Sequence, residues 1–296
     1  MGEQIEKYIE YIRTERNYSD LTEKNYLIDL EQFEEYLITH RLNYKNLTYK
    51  DIGKYISYLK EKHHLKSTSI NRHLSTLRSF YTYMLNREVV NSNPFKLVNG
   101  PKNEQKLPNY MKYSEFEEML NACDDTSLGI RNRCLLELLL ATGARIGELI
   151  NIKVSDIDFV NREIKVLGKG NKERICYFNE QSHKALDNYL ENSRLILLKN
   201  KKSDRLFINH VGGNLTDRGV REILDNIIHK CTLKNKVTPH TFRHTFATML
   251  LNEGCDLKSV QELLGHVNLS TTSIYTHITN ERIKNIYLHT HPRSKK

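Results

Sequence analysis

The sequence predicts a mainly α-helical protein of two domains, the second carrying a small three-stranded antiparallel sheet. Three observations carry this expectation. Apolar residues recur at helical spacing through the first ninety residues and again beyond residue 111. A stretch rich in asparagine and proline, residues 91–109, interrupts that pattern. Only residues 157–178 hold short alternating or apolar runs separated by turn residues. A chain of 296 residues is long enough to build two cores.

Residues 4–16 and 22–38 read as helices, with stripes of Tyr8, Ile9 and Ile12, then Leu27, Leu30, Phe33, Tyr36 and Leu37. Residues 48–62 form a third, with Ile52, Tyr55, Ile56 and Leu59 inward. A fourth spans 67–86, with Ile70, Leu74, Leu77, Tyr81 and Met84 on one arc and Arg72, Ser75, Ser79 and Thr82 opposite. Residues 1–90 are therefore expected to be one helical bundle. The stretch 91–109, with three prolines and five asparagines, reads as an exposed linker. The second domain is expected over 110–296. Ser114 followed by Glu117 suggests a capping box. Residues 128–141 make an apolar, buried helix that stops at Thr142-Gly143. Strands are expected at Ile157–Phe159, Glu163–Leu167 and Arg174–Phe178, then helices over 180–198 and 216–230.

Charge bounds the class of partner. The formal net charge is +9 and the pI about 9.1. Residues 1–35 hold 4 basic and 10 acidic side chains, whereas residues 36–106 hold 13 and 4. A polyanion suits the second segment. The face of small polar residues on the fourth helix suits a DNA groove, so Lys60, Lys66, Arg72, Ser75, Arg78 and Ser79 are the expected contacts there. Arg218 and Arg221 are expected backbone contacts in the second domain. The five cysteines include no CxxC pair, which argues against a disulfide framework or zinc site and fits a reducing cytosol. No signal peptide or membrane-spanning run is present, so a cytoplasmic, nucleoid-associated location is expected.

Residues 238–279 carry the chemistry. Thr238 caps, Pro239 suits the first helical turn and Gly254 ends the helix. Phe242, Phe246 and Met249 fall on one side and His240, Arg243 and His244 on the other. A second helix follows, capped by Asp256, buried through Leu257, Val260, Leu263 and Leu264 and ended at Gly265; His266 comes next. A third begins near Ser270, with Tyr275 about one turn inside. Arginine matches phosphate with its planar fork, and histidine donates to phosphate oxygens or moves a proton. A tyrosine, unperturbed pKa about 10, attacks phosphorus only with cationic neighbours and a base. The group reads as a phosphoryl-transfer site with a covalent phosphotyrosine intermediate. His240 and His244 lack the glutamate of HExxH, so no metal is expected. Arg145, beside the buried helix, either pairs with Glu148 or clamps a phosphate.

HTFRHTFAT, then LLGH, then a tyrosine nine residues past that histidine resemble the catalytic core of the tyrosine recombinases, within them the bacterial Xer recombinases. ATGARIGEL resembles their first arginine motif, and the lysine of the turn Gly168–Lys172 matches their hairpin lysine. The resemblance implies that Tyr275 attacks the scissile phosphate and takes the 3′ end. It implies that Arg145, Arg243 and His266 stabilise the phosphoryl oxygens, with Glu148 in support. His240 takes the tyrosine proton or shares that work with the phosphate. Lys169, or less well Lys172, protonates the leaving 5′-oxygen. No cofactor and no metal are implied.

The amino-terminal bundle resembles that family's core-binding domain. Implied partners are double-stranded DNA with a short inverted-repeat site, a tetramer of this chain or with a paralogous recombinase, and a septal DNA translocase. The implied role is resolving chromosome dimers at cell division. The rivals are an integrase of a phage or transposon, and a sequence-specific DNA-binding protein without catalysis. A terminal helix over 280–288 is too short to stand alone and is expected to dock, in such enzymes into a neighbouring subunit.

Overall fold

The structure, a computed structural model, describes residues 1–16, 18–102, 110–168, 173–233, 237–265 and 276–293, the backbone only over 276–281. The chain divides into two compact units, Met1–Gln105 and Lys106–Lys296.

The first unit is a bundle of four helices: α1 (Gly2–Thr14), α2 (Asp20–Thr39), α3 (Tyr49–Glu61) and α4 (Ser67–Asn86). Local chemistry sets its boundaries. The Ser19 hydroxyl accepts from the Thr22 amide to start α2, and Thr48 and Asp51 cap α3 reciprocally. The expected stripes meet in one aromatic-rich core that includes Tyr8, Phe33, Tyr36, Tyr55, Leu77 and Phe80. A charged network also lies in it. The buried Asp29 carboxylate accepts from Arg72 at 2.7 Å and from Thr76 at 2.9 Å, and its other oxygen lies 2.9 Å from His73.

The expected linker is corrected in its first half. Phe95 and Val98 are buried in the bundle core. Arg78 donates to the carbonyls of Phe95 and Val98 at 3.1 and 2.9 Å, and Asn71 to that of Pro101 at 3.0 Å. These bonds satisfy backbone carbonyls that no regular ladder reaches, so an irregular segment is held in the bundle core. Residues 103–109 lie outside the described residues.

The second unit is built on α6 (Ser127–Thr142), whose sides are buried almost all round. Around it stand α5 (Tyr113–Asn121), α7 (Ile146–Leu149), the strands β1 (Ile157–Asp158), β2 (Glu163–Leu167) and β3 (Glu173–Tyr177), α8 (Glu180–Tyr189), α9 (Leu195–Leu198), α10 (Asp217–Lys230), α11 (Pro239–Asn252), α12 (Leu257–Leu264) and α13 (Thr276–Thr290). The sheet is antiparallel in the order β1-β2-β3, with Ile157 opposite Ile164 and Lys165 opposite Ile175. A π-helical turn, Leu190–Arg194, joins α8 to α9 within the span read as one helix. The capping box expected at Ser114 and Glu117 is displaced. The helix starts two residues earlier, and Glu115 accepts from the Lys112 amide at 2.7 Å. No helix among the described residues is long and apolar enough to cross a membrane.

Candidate active site

Three arginines converge at the junction of α6, α7, α11 and β3. The first comes from the end of α6. Gly143 adopts φ +55°, a left-handed cap that turns the chain sharply. There is no room for a side chain, because a Cβ would stand 2.6 Å from the Phe246 ring and 3.0 Å from Leu264. Arg145 follows at the start of α7. Its backbone N–H donates to Glu148 Oε2 at 2.9 Å and its Nη1 to Glu148 Oε1 at 2.8 Å. The pairing read from the sequence is therefore present. It engages one Nη of a side chain that is still 44% exposed, so the rest of the fork faces outward.

Arg243 enters from α11. The helix sits as expected, with Phe242 and Phe246 buried and His240 and His244 exposed. Thr238 caps it by accepting from the Thr241 amide. Arg243 lies between these faces, with Nη1 donating to the Gly143 carbonyl at 2.8 Å and Nη2 to the Leu264 carbonyl at 2.6 Å. Burial first, then the charges of Arg145 and Arg174, push its pKa down to about 10. An anion placed among these groups would relieve that repulsion.

Arg174 is the member that sequence reasoning missed. It lies on β3 one pleat before Cys176, and its Nη2 donates to Glu148 Oε2 at 2.7 Å. A signal was present: alternate strand residues share a face, and Cys176 is buried. An arginine beside it must point inward and find a carboxylate. Burial alone would raise the Glu148 pKa. The Arg174 charge, then the bonds from Arg145, outweigh it and hold the carboxyl below the usual range. Burial pushes the Cys176 thiol up to about 11, so it is no nucleophile here.

Lys169, Lys172, His266 and Tyr275 lie outside the described residues. The described chain stops at Gly265, one residue short of His266, and resumes at Thr276, one past Tyr275. Ile283 and Tyr287 of α13 pack with Tyr177, Phe246 and Leu250 of the same chain. Among the described residues no group of three or more His, Cys, Asp or Glu could hold a metal ion.

The phage integrase family profile matches residues 109–282, and that of the phage integrase N-terminal SAM-like domain matches residues 5–88. The chain belongs to the phage integrase family. It is 44% identical over 291 residues to "Tyrosine recombinase XerC" of Anoxybacillus flavithermus (strain DSM 21510 / WK1), covering 97% of each chain. It is also 44% identical over 292 residues to the protein of that name from Staphylococcus aureus (strain MSSA476), covering 98% of this chain and 97% of that one. A crystal structure of the XerH site-specific recombinase bound to palindromic difH substrate, a post-cleavage complex, matches with TM-score 0.73 and 26% identity, covering 97% of this chain and 84% of that one. The helical fold with its small sheet is that of the tyrosine recombinases, and the chain is a site-specific recombinase of that class.

The expected DNA contacts fare unevenly. Lys60, Lys66 and Ser75 are exposed on the first unit. Arg72 is committed to Asp29, Arg78 to the carbonyls of Phe95 and Val98, and Ser79 accepts from the Tyr8 hydroxyl at 2.7 Å. Those three hold the bundle together. Arg218 and Arg221 are exposed on α10 and pair with Glu222 and Asp217 one turn away, contacts that a phosphate can displace at little cost.

Proposed function

We propose that this recombinase cuts and rejoins double-stranded DNA at a short inverted-repeat site through a 3′-phosphotyrosine bond, and that it resolves chromosome dimers at cell division. The observation that supports this best is the meeting of Arg145 and Arg243, 98 positions apart in the sequence, the first held through one terminal nitrogen and the second through both. Arginines held this way form a preorganised site for a phosphate whose charge grows in the transition state.

In the proposed reaction the Tyr275 oxygen attacks phosphorus and the bond to the 5′-oxygen breaks. His240, exposed in the first turn of α11, takes the tyrosine proton or shares that work with the phosphate. Lys169 gives a proton to the leaving oxygen. The 5′-hydroxyl of a partner strand reverses the step, so no nucleotide cofactor is consumed. The first unit, with residues 91–102 packed on its helices, clamps the duplex on one side, and residues 110–296 carry the chemistry. Four subunits assemble on two sites, from this chain alone or with a paralogous recombinase, and a septal translocase is the proposed activator. This takes place in the cytoplasm, on the nucleoid. Likeness over nearly the full length to XerC chains favours this role over that of a mobile-element integrase.

Covalent trapping tests it. Nicked duplexes carrying Xer-type sites are incubated with the protein and chelator and run on a denaturing gel. A slower, protease-sensitive DNA band that vanishes in Tyr275→Phe is the expected result. Sequence-specific binding with no band from the wild type would return the non-catalytic reading.

A further inference from the structure

Arg174 stands behind the proposed phosphate site, at its least exposed edge. Its side chain is 15% exposed, and both terminal nitrogens are engaged, Nη2 with Glu148 at 2.7 Å and Nη1 with the Leu263 carbonyl at 3.0 Å. Gly265 makes room for it. That residue has φ +68°, and a Cβ there would stand 2.6 Å from Arg174 Cδ. The carboxylate of Glu148 is thus held from two sides, by Arg145 and by Arg174. The last two carbonyls of α12 are shared in the same way. Leu263 takes Arg174 and Leu264 takes Arg243, at the helix end whose dipole favours cations.

We infer that Arg174 is a positioning residue for strand cleavage: it fixes the Glu148 carboxylate and the end of α12, so that Arg145 and Arg243 meet the phosphate in one geometry. The inference rests on the proposed role of Arg145 and Arg243 as phosphate ligands. Arg174 acts through Glu148, since its side chain is largely buried and its Nη1 is spent on two acceptors, the Leu263 carbonyl and Cys176 Sγ. The groups facing Glu148 are Arg145 at the start of α7, Arg174 and Cys176 on β3, and Arg243 on α11. Without Arg174, burial has only Arg145 and the more distant Arg243 against it. The carboxyl then takes up a proton at higher pH and releases Arg145.

The test uses the full chain and a nicked duplex carrying a site selected by wild-type binding from a random-sequence DNA library. Dissociation constants and single-turnover cleavage rates are measured from about pH 5 to pH 9. Arg174→Met is expected to keep DNA affinity within about threefold and to cleave about 100-fold more slowly, with the acid limb of its rate profile moved to higher pH. Arg174→Lys keeps the charge without the fork, so a loss of about tenfold with the acid limb near its wild-type place is expected. This second variant also guards against misfolding of the first. A wild-type rate and profile in Arg174→Met overturns the inference. So do equal losses in binding and cleavage with the acid limb unmoved in both variants, which make the residue structural. Arg145→Ala and Arg243→Ala, run alongside, separate the premises. If they cleave as wild type, the phosphate site itself is misassigned; if they are inactive while Arg174→Met is normal, only the role of Arg174 fails.

Discussion

Arg243 Nη1 donates to the carbonyl of Gly143 at 2.8 Å across 100 residues of chain. The bond depends on a backbone conformation open mainly to glycine, and it joins the two arginine motifs. In Gly143→Ala the left-handed conformation costs about 1–2 kcal/mol. Crowding against Phe246 and Leu264 costs about 1–3 kcal/mol more. The expected destabilisation is about 2–5 kcal/mol by urea unfolding. Cleavage is expected to fall further than the folded fraction does, because the carbonyl that holds Arg243 moves with the turn. Normal cleavage by the folded variant would show that this bond does not set the arginine.

Arg293, three residues beyond α13, forms a buried ion pair with Glu137 of α6 at 2.9 Å, with side chains 8% and 6% exposed. Its guanidinium also lies over the Phe116 ring, 5.1 Å from the centre. Breaking such a pair from one side leaves a buried charge, so Arg293→Met is expected to lose about 3–5 kcal/mol near neutral pH. Burial already holds the Glu137 pKa above the usual carboxylate range. The folded state therefore binds its proton more readily than the unfolded chain, and stability falls as pH rises through that window. The loss in Arg293→Met is accordingly expected to be smaller at acid pH than at neutral pH. The double variant Glu137→Met/Arg293→Met is expected to recover much of it. Denaturation curves at two pH values decide the matter, and a loss independent of pH would sink the ion-pair account.

His291 is fully buried between Tyr287 and Phe246, with ring centres 5.0 and 5.8 Å away. Burial pushes its pKa down to about 4. Between the ordinary histidine pKa and that value the unfolded chain binds a proton that the folded chain does not, so stability rises with pH. The group's contribution is fully present above about pH 6.5 and is lost as pH falls toward 4, about 3 kcal/mol in all. His291→Phe keeps the aromatic stack and removes the titration. It is expected to be less stable at pH 7, where the Arg293 amide loses its acceptor, yet to show a flatter acid slope. Unfolding at several acid pH values checks this, and parallel slopes for variant and wild type would assign the acid sensitivity elsewhere.

Much of the fold was legible because its determinants are local. The 3.6-residue stripes place α1 to α4, and α4 runs over the span read from the sequence. Alternation and turn residues place the three strands to within a residue. The motifs holding Arg145, His240 and Arg243 were legible for the same reason, since a helix presents residues at fixed offsets. What was misread depends on partners far along the chain. Phe95 and Val98 look like isolated apolar residues in a linker until Arg78 binds their carbonyls. The pairing of Arg72 with Asp29, 43 residues earlier, is equally invisible along the chain.

The sequence by itself determined the motifs proposed for phosphoryl transfer, the helix that presents His240 and Arg243 and the charge that suits DNA, because periodicity and motif spacing act over a few residues. Only the tertiary structure decided how the cations are held. Glu148 is shared between Arg145 and Arg174, and the α12 carbonyls between Arg174 and Arg243. A buried guanidinium must find an acceptor wherever the fold provides one, and no spacing along the chain says where that will be.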